Sequence, residues 1–265
     1  MIYEYRFYHV CEGRLTDEVE RLADVSVRPA PPGDRFPAHQ SLFDRHGVPR
    51  PVGGWTAITG AQLPLLGYLL RWDSLTQRDA AFPSYWDDPL VHAFHDEDKG
   101  DRVPLVSRID DWLIEPSYAW IKARQGGPNV PMGGLHEMRI HYYYAQQGSE
   151  AAKLLGEIEL PHLQLMGATL LGSFDVIIGP KDAIVTFLAW PDYATQRRAL
   201  ARLDVEPQLR NALSRYAARR GRPLFRKLDQ YLLTPLDYAI PKVDFGEDER
   251  ALSSFVGLIP FNRQV

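Results

Sequence analysis

Three residues with chemical potential stand two apart in Leu135-His136-Glu137-Met138-Arg139-Ile140-His141-Tyr142. Alternation of polar and apolar side chains reads this stretch as a β-strand, so Glu137, Arg139 and His141 share one face, about 6.5 to 7 Å between successive members. The guanidinium fork of Arg139 suits a carboxylate or an enolate oxygen. Histidine titrates near neutrality, which suits His141 to general acid or base work, with Glu137 holding Arg139 in place. A second strand, Ile2-Tyr3-Glu4-Tyr5-Arg6-Phe7-Tyr8-His9, carries Glu4 and Arg6 at the same phase but no histidine on that face. Tyr8 and Tyr143 extend the two polar faces. Tyr68 and Trp72 share a phase on another strand, as do Leu188 and Trp190. The bland alternatives are buried Glu–Arg ion pairs that only satisfy each other, and aromatics that only fill a core.

His92, His95 and Asp96 fall within one helical turn, but no third ligand is identifiable. The reading preferred there is a solvated helix end before Asp96-Glu97-Asp98-Lys99. No glycine-rich phosphate loop, serine elbow or zinc signature occurs, which disfavours nucleotide-dependent and hydrolase chemistry.

The elements that must position these residues follow from periodicity and punctuation. After strand one, Leu15, Val19, Leu22 and Ala23 recur at helical spacing behind Thr16-Asp17. Four prolines between Arg28 and Pro37 make a loop. A helix resumes over Ala38 to His46 and stops at Gly47. Val52 to Thr59 and Gly67 to Trp72 read as strands. Asp73-Ser74 opens a helix toward Phe82, Asp88-Pro89 opens the next, and Val106 to Ile114 is a closing strand. The second half repeats the order: a helix from Ser149 to Gly167, strands over Ala168–Ile178 with a bend at Gly172 and over Ala183–Trp190, helices at Asp192–Leu203 and from Glu206-Pro207, and a strand over Leu224–Leu233. Asp110-Asp111-Trp112-Leu113-Ile114-Glu115-Pro116 aligns with Asp229-Gln230-Tyr231-Leu232-Leu233-Thr234-Pro235. Trp72…Thr76-Gln77-Arg78 aligns with Trp190…Thr195-Gln196-Arg197.

Each half therefore reads β-α-β-β-α-β, a ferredoxin-like unit with helices on one face of an antiparallel sheet. The expected organisation is a first unit at 1–116, a linker at 117–133, a second unit at 134–238 and a tail at 239–265 docked on its own chain or a neighbour. The fold class expected is α+β: two tandem units packed sheet to sheet as an α+β barrel. The all-apolar face of strand one (Tyr3, Tyr5, Phe7), with Met138 and Ile140, is expected under the helices. The Glu/Arg face is then expected to look into the barrel.

Composition narrows the function classes. The 265 residues are 45% hydrophobic and 24% charged, which provides a core of ordinary size. A net charge of −4 gives no electrostatic reason to expect nucleic acid or an anionic membrane. No run reaches the ~18 to 20 apolar residues of a membrane span, and the opening residues lack a basic-then-apolar leader. Cys11 is the single cysteine, so an intrachain disulfide is impossible. A cytoplasmic location is expected.

Several short stretches together resemble one family. Met1-Ile2-Tyr3-Glu4-Tyr5-Arg6, Arg45-His46-Gly47, Gly54-Trp55-Thr56, Trp72-Asp73-Ser74-Leu75 and Asp88-Pro89…Ala93-Phe94 are similar to the NIPSNAP family, in its order and spacing. The second half departs at His162-Leu163-Gln164, with no glycine matching Gly47, and at Trp190-Pro191. The resemblance implies a tandem protein of the dimeric α+β barrel superfamily. That superfamily holds cofactor-free monooxygenases, haem-binding enzymes, lactone isomerases, cyclases and aldoxime dehydratases, with ligands between sheet and helices or within the barrel. Fold analogy does not choose among them.

The expected function is a small-molecule enzyme doing cofactor-independent acid/base chemistry: isomerisation, cyclisation, lyase or oxygenation. His141, Arg139 and Glu137 are its catalytic set. Glu4, Arg6, Tyr8, Tyr68, Trp72, Tyr143 and Trp190 are its ligand-binding set. No metal and no cofactor is expected, with haem as the secondary reading, and the chain is expected to form a homodimer or larger assembly. The alternative is a non-catalytic ligand-binding or scaffold protein. An open cavity lined by Arg139, His141 and Tyr143 favours the enzyme; a filled apolar barrel favours the scaffold.

Overall fold

The computed structural model describes residues 1–31, 39–96, 104–124 and 134–240. The expected tail beyond 240, most of the proline-rich loop and the glycine-rich part of the linker lie outside them. Strands β1 (Ile2–Val10), β2 (Gly53–Thr59), β3 (Leu65–Trp72) and β4 (Val106–Pro116) make up the first half. Strands β5 (Leu135–Tyr143), β6 (Thr169–Ile178), β7 (Ala183–Trp190) and β8 (Phe225–Pro235) make up the second. They join in the order β1-β3-β2-β8-β5-β7-β6-β4 as a closed antiparallel barrel.

That order corrects the expected packing. The halves do not stack as two sheets face to face. Their edges pair instead, β2 with β8 and β4 with β6, into one continuous closed sheet. Edge pairing satisfies backbone donors and acceptors that stacked sheets leave open.

The helices start where local chemistry directs. In the first half lie α1 (Leu15–Ser26), α2 (Leu42–His46), α3 (Leu75–Trp86) and α4 (Pro89–Asp96). Ser41 and Asp44 form a capping box that starts α2 at Leu42, later than the apolar spacing suggested. Ser74 caps α3, which continues through Pro83 to Trp86 rather than stopping near Phe82. Asp88 Oδ1 accepts from the Leu90 amide at 2.8 Å, as the Asp-Pro signal implied. Residues 118–124, expected within the linker, form α5 (Tyr118–Arg124), whose Trp120 is wholly buried. In the second half, α6 (Gly148–Leu154) and α7 (Leu160–Leu165) flank a π-helical turn, Leu155–Glu159. Asp192 and Glu206 cap α8 (Tyr193–Leu203) and α9 (Pro207–Arg220). Near Gly172, where a bend was expected, the β6–β7 register shifts.

The two faces of β1 and β5 are the reverse of the expectation. Tyr3 packs on Phe174 at 4.9 Å, and Tyr5 on Phe187 at 5.3 Å and Trp55 at 6.1 Å. Those partners sit on β6, β7 and β2, none of which neighbours β1, so the contacts cross the barrel interior. Trp55 stacks on Phe187 at 4.9 Å, and Met138 and Ile140 complete the same core. The aromatic face therefore fills the barrel, and the Glu/Arg face lies under the helices. Glu4, Arg6 and Tyr8 of the ligand-binding set are consequently absent from the interior. Both faces are buried, so alternation separates two sets of residues without saying which set points inward.

At the β4–β6 seam, Glu115 and Asp175 are direct cross-strand partners. Burial, and then the Glu115 charge, push the Asp175 carboxyl up to about 7. The folded chain holds this proton where the unfolded chain, near 3.8, has lost it. Stability therefore falls as pH rises from about 4 to 7, by roughly 2–4 kcal/mol. Asp175→Asn is expected to leave stability at pH 4 little changed and to raise it by about 1–3 kcal/mol at pH 8. Denaturant unfolding at several pH values measures both; an unchanged slope between pH 4 and 7 would contradict this account.

Candidate functional site

The two halves place the same constellation at equivalent register positions and complete it differently. In the first half, Glu4 is wholly buried and fully supplied with donors. Trp72 Nε1 donates at 3.0 Å, Arg6 Nη1 at 3.0 Å, and Arg78 of α3 donates through Nε at 2.9 Å and Nη2 at 3.0 Å. Arg6 also reaches the Tyr8 hydroxyl at 3.3 Å and Asp111 at 3.4 Å. The Tyr8 and Tyr68 hydroxyls meet at 3.0 Å. Beside this network only about 30 Å³ of space remains. That is room for a water or two, not a substrate. Glu4, Arg6, Tyr8, Tyr68 and Trp72, all expected to bind a ligand, here satisfy one another.

In the second half, Glu137 is equally buried. It accepts from Trp190 Nε1 at 2.7 Å, Arg139 Nη1 at 2.9 Å and Gln196 Nε2 at 3.3 Å, and from Gln230. Gln196 follows Trp190 by six residues, as Arg78 follows Trp72, so the sequence alignment of Gln77 with Gln196 is one residue out. Gln230 occupies the register position of Asp111, each paired with the strand arginine. Two neutral amides thus replace an arginine and an aspartate. Arg139 turns to Glu159 at 3.2 Å, and His141 Nε2 approaches the same carboxylate at 3.3 Å.

Glu159 was not singled out from the sequence. It ends the π-helical turn, which carries it over the sheet. A signal existed: Ala152, Leu155 and Glu159 keep the spacing of a buried helical face, and π-turns recur at functional sites. Burial alone would raise the Glu159 carboxyl, but His141 and Arg139 hold it down at about 2. It is therefore a carboxylate throughout the neutral range.

Arg139, His141 and Glu159 line a groove of about 400 Å³ between the sheet and the helices α8 and α9. Leu203, Leu209, Leu213 and Phe225 supply apolar walls. Arg139 Nε and His141 Nδ1 are buried and have no hydrogen-bond partner. Unsatisfied buried donors and acceptors cost about 1–3 kcal/mol each. Trp190 and Tyr143, expected to wall the substrate, are not part of this groove. Trp190 is spent on Glu137, and a register shift at Tyr142/Tyr143 carries Tyr143 toward Gly148 instead. Among the described residues no group of three or more His, Cys, Asp or Glu is placed to hold a metal, and no helix is long and apolar enough to cross a membrane. The side chains of His95 and Asp96 lie outside that description.

No family model matches this chain, and no curated protein matches it. Solved structures do match its fold. A monooxygenase candidate from Fusobacterium nucleatum superposes with a TM-score of 0.51 at 10% identity, over 89% of this chain and 92% of that one. An anthrone oxidase-like protein gives 0.52 at 10% identity, over 91% and 95%. A chlorite dismutase variant from Candidatus Nitrospira defluvii gives 0.50 at 10% identity, over 90% and 93%. At such identities the likeness concerns the fold alone, a mixed α+β architecture around a closed eight-stranded barrel.

The Glu159 cluster makes a stability prediction. Its carboxyl is depressed on folding, so its contribution is present above about pH 4.5 and lost as pH falls toward 2. Glu159→Gln is expected to destabilise the fold by roughly 3 kcal/mol at pH 7 and much less at pH 3. Acid unfolding followed by circular dichroism compares the two; parallel acid limbs would show that the cluster is not the source.

Proposed function

We propose that this protein is a small-molecule enzyme whose site is the groove between the β5/β8 face and helices α8 and α9. The observation that carries the reading is the cluster of Arg139, His141 and Glu159 in the lining of a groove of about 400 Å³, with Arg139 Nε and His141 Nδ1 left unpartnered beneath it. The Glu159 carboxylate lies 3.3 Å from His141 Nε2, close enough to draw the ring proton to that nitrogen. That sets the tautomer and leaves the Nδ1 lone pair to take a proton, in the manner of a carboxylate–histidine dyad. Arg139, held by Glu137, stabilises the oxyanion or enolate that forms. Proton abstraction of this kind begins isomerisation, cyclisation, lyase and oxygenation reactions alike. The monooxygenase and oxidase names among the fold neighbours accord with that range. Register and strand order in each half, β4-β1-β3-β2 and β8-β5-β7-β6, support tandem ferredoxin-like units at about 1–116 and 134–238. They agree with the NIPSNAP resemblance of the sequence.

Haem, the secondary reading, has no ligand assigned in this site. His141 Nε2 lies 3.3 Å from Glu159, His46 bonds Asp88 and Ser84, and His136 Nδ1 accepts from the Trp55 indole. No step here depends on haem. One observation favours the non-catalytic alternative: the middle of the barrel is filled with aromatic side chains. A binding protein would use the same groove without turnover.

His141→Ala is expected to lower kcat/KM roughly a hundredfold or more on a substrate found by screening enolisable carbonyl compounds and acids, with the fold intact. Glu4→Gln is expected to do less, because its network is closed. Full activity in His141→Ala would remove the proposed base. Titration with haemin, followed in the visible spectrum, is expected to show no saturable coordination band.

A further inference from the structure

The barrel is filled at its middle, but one end is open. Trp120 of α5 packs on Tyr3 and Phe174 at one end. At the other lies a separate pocket of about 220 Å³, reached between the β2–β3 hairpin and the ends of β1, β4, β5 and β8. None of the residues assigned to the groove reaction forms it. Its floor is aromatic and aliphatic: Phe7, Trp112, Tyr231 and Ile140. Phe7 and Trp112 are in ring contact at 4.3 Å.

The hairpins are cut to hold these rings. A Cβ on Gly60 would fall within 2.0 Å of the Tyr231 ring, and a Cβ on Gly179 within 2.9 Å of Trp112. Both glycines have positive φ, at 156° and 132°, so a side chain there would strain the backbone as well. The two walls of the pocket thus depend on missing side chains in two separate turns.

Above the floor is a polar rim. His9 Nε2 meets Asp110 Oδ2 at 2.9 Å, and Arg108 meets the same Asp110 oxygen at 2.9 Å. Lys227 pairs with Asp229 at 2.8 Å and lies 5.3 Å from the Tyr142 ring centre. Each rim carboxylate is matched by a cation. No unbalanced charge remains to select an ionic ligand, while hydrogen-bond donors and acceptors remain exposed.

The geometry points to a second small-molecule site here, for a neutral hydroxylated aromatic of one ring, a phenol. Its ring lies on Trp112, Phe7 and Tyr231, and its hydroxyl donates to the Asp110 carboxylate beside His9. Size agrees: an apolar cavity of about 150 Å³ holds benzene, and this one is larger by about the room for a substituent. Aromatic walls favour a planar partner through edge and offset contacts. A charged carboxylate would have to displace a rim pair to be matched.

The probe is 4-fluorophenol, followed by ¹⁹F NMR on the full chain, with fluorobenzene and 4-fluorobenzoate as controls. Saturable binding of 4-fluorophenol is expected, at least about tenfold tighter than either control. Asp110→Asn is expected to weaken it about tenfold, and Trp112→Leu to weaken it at least as much, with circular dichroism confirming that each variant is folded. Asp110→Asn alone suffices if Trp112→Leu does not fold. His141→Ala is expected to leave the affinity unchanged, which separates this site from the groove. No saturable binding, tighter binding of 4-fluorobenzoate, unchanged affinity in Asp110→Asn, or loss of binding in His141→Ala would each overturn the assignment.

Discussion

Two carboxylates wholly removed from water, Glu4 and Glu137, set the terms for the rest of the molecule. Burying such a charge costs several kcal/mol unless donors surround it. Each is met by the indole of the next strand but one in sequence, Trp72 or Trp190, and by the arginine two residues on. Further donors come from the helix that follows that strand, Arg78 of α3 or Gln196 of α8. Strand, neighbouring strand and helix are thereby pinned at one point in each half. The aromatic side of the same strands is left to fill the barrel.

The side chains that complete the two networks differ. Around Glu4, Arg78 supplies a second guanidinium, and Asp111 places a carboxylate 3.4 Å from Arg6. Around Glu137, Gln196 and Gln230 give hydrogen bonds without charge, and Arg139 keeps donors for Glu159 and for the groove. The space follows the same division, about 30 Å³ beside Arg6 and about 400 Å³ beside Arg139.

Closure of the sheet explains why ligand space lies at the margins. Eight strands make an interior just wide enough for side chains, and here Tyr5, Trp55, Phe174 and Phe187 occupy it. What remains are the seams between sheet and helices and the mouth of the barrel. Both are places where ordinary packing has to stop, because a helix end or a hairpin interrupts the regular layers.

The sequence by itself determined the order of the eight strands, the helix starts at Ser74, Asp88 and Asp192, and the grouping of Glu137, Arg139 and His141 on one face. These are local matters of period and capping, and neighbours along the chain decide them. Only the tertiary structure decided which face is inside. Strands buried on both sides carry no polar side to orient them, and the preference of Tyr5, Phe7 and Phe187 for each other emerges only when non-adjacent strands meet. It alone brought Glu159 to His141, across the 18 residues that separate them, by means of a π-helical turn that no residue type announces. It also turned Tyr143 and Trp190 away from the groove, through a one-residue register shift and an indole drawn to a buried carboxylate. Distance along the chain is the common reason: spacing specifies a face, but contact between faces depends on how the barrel closes.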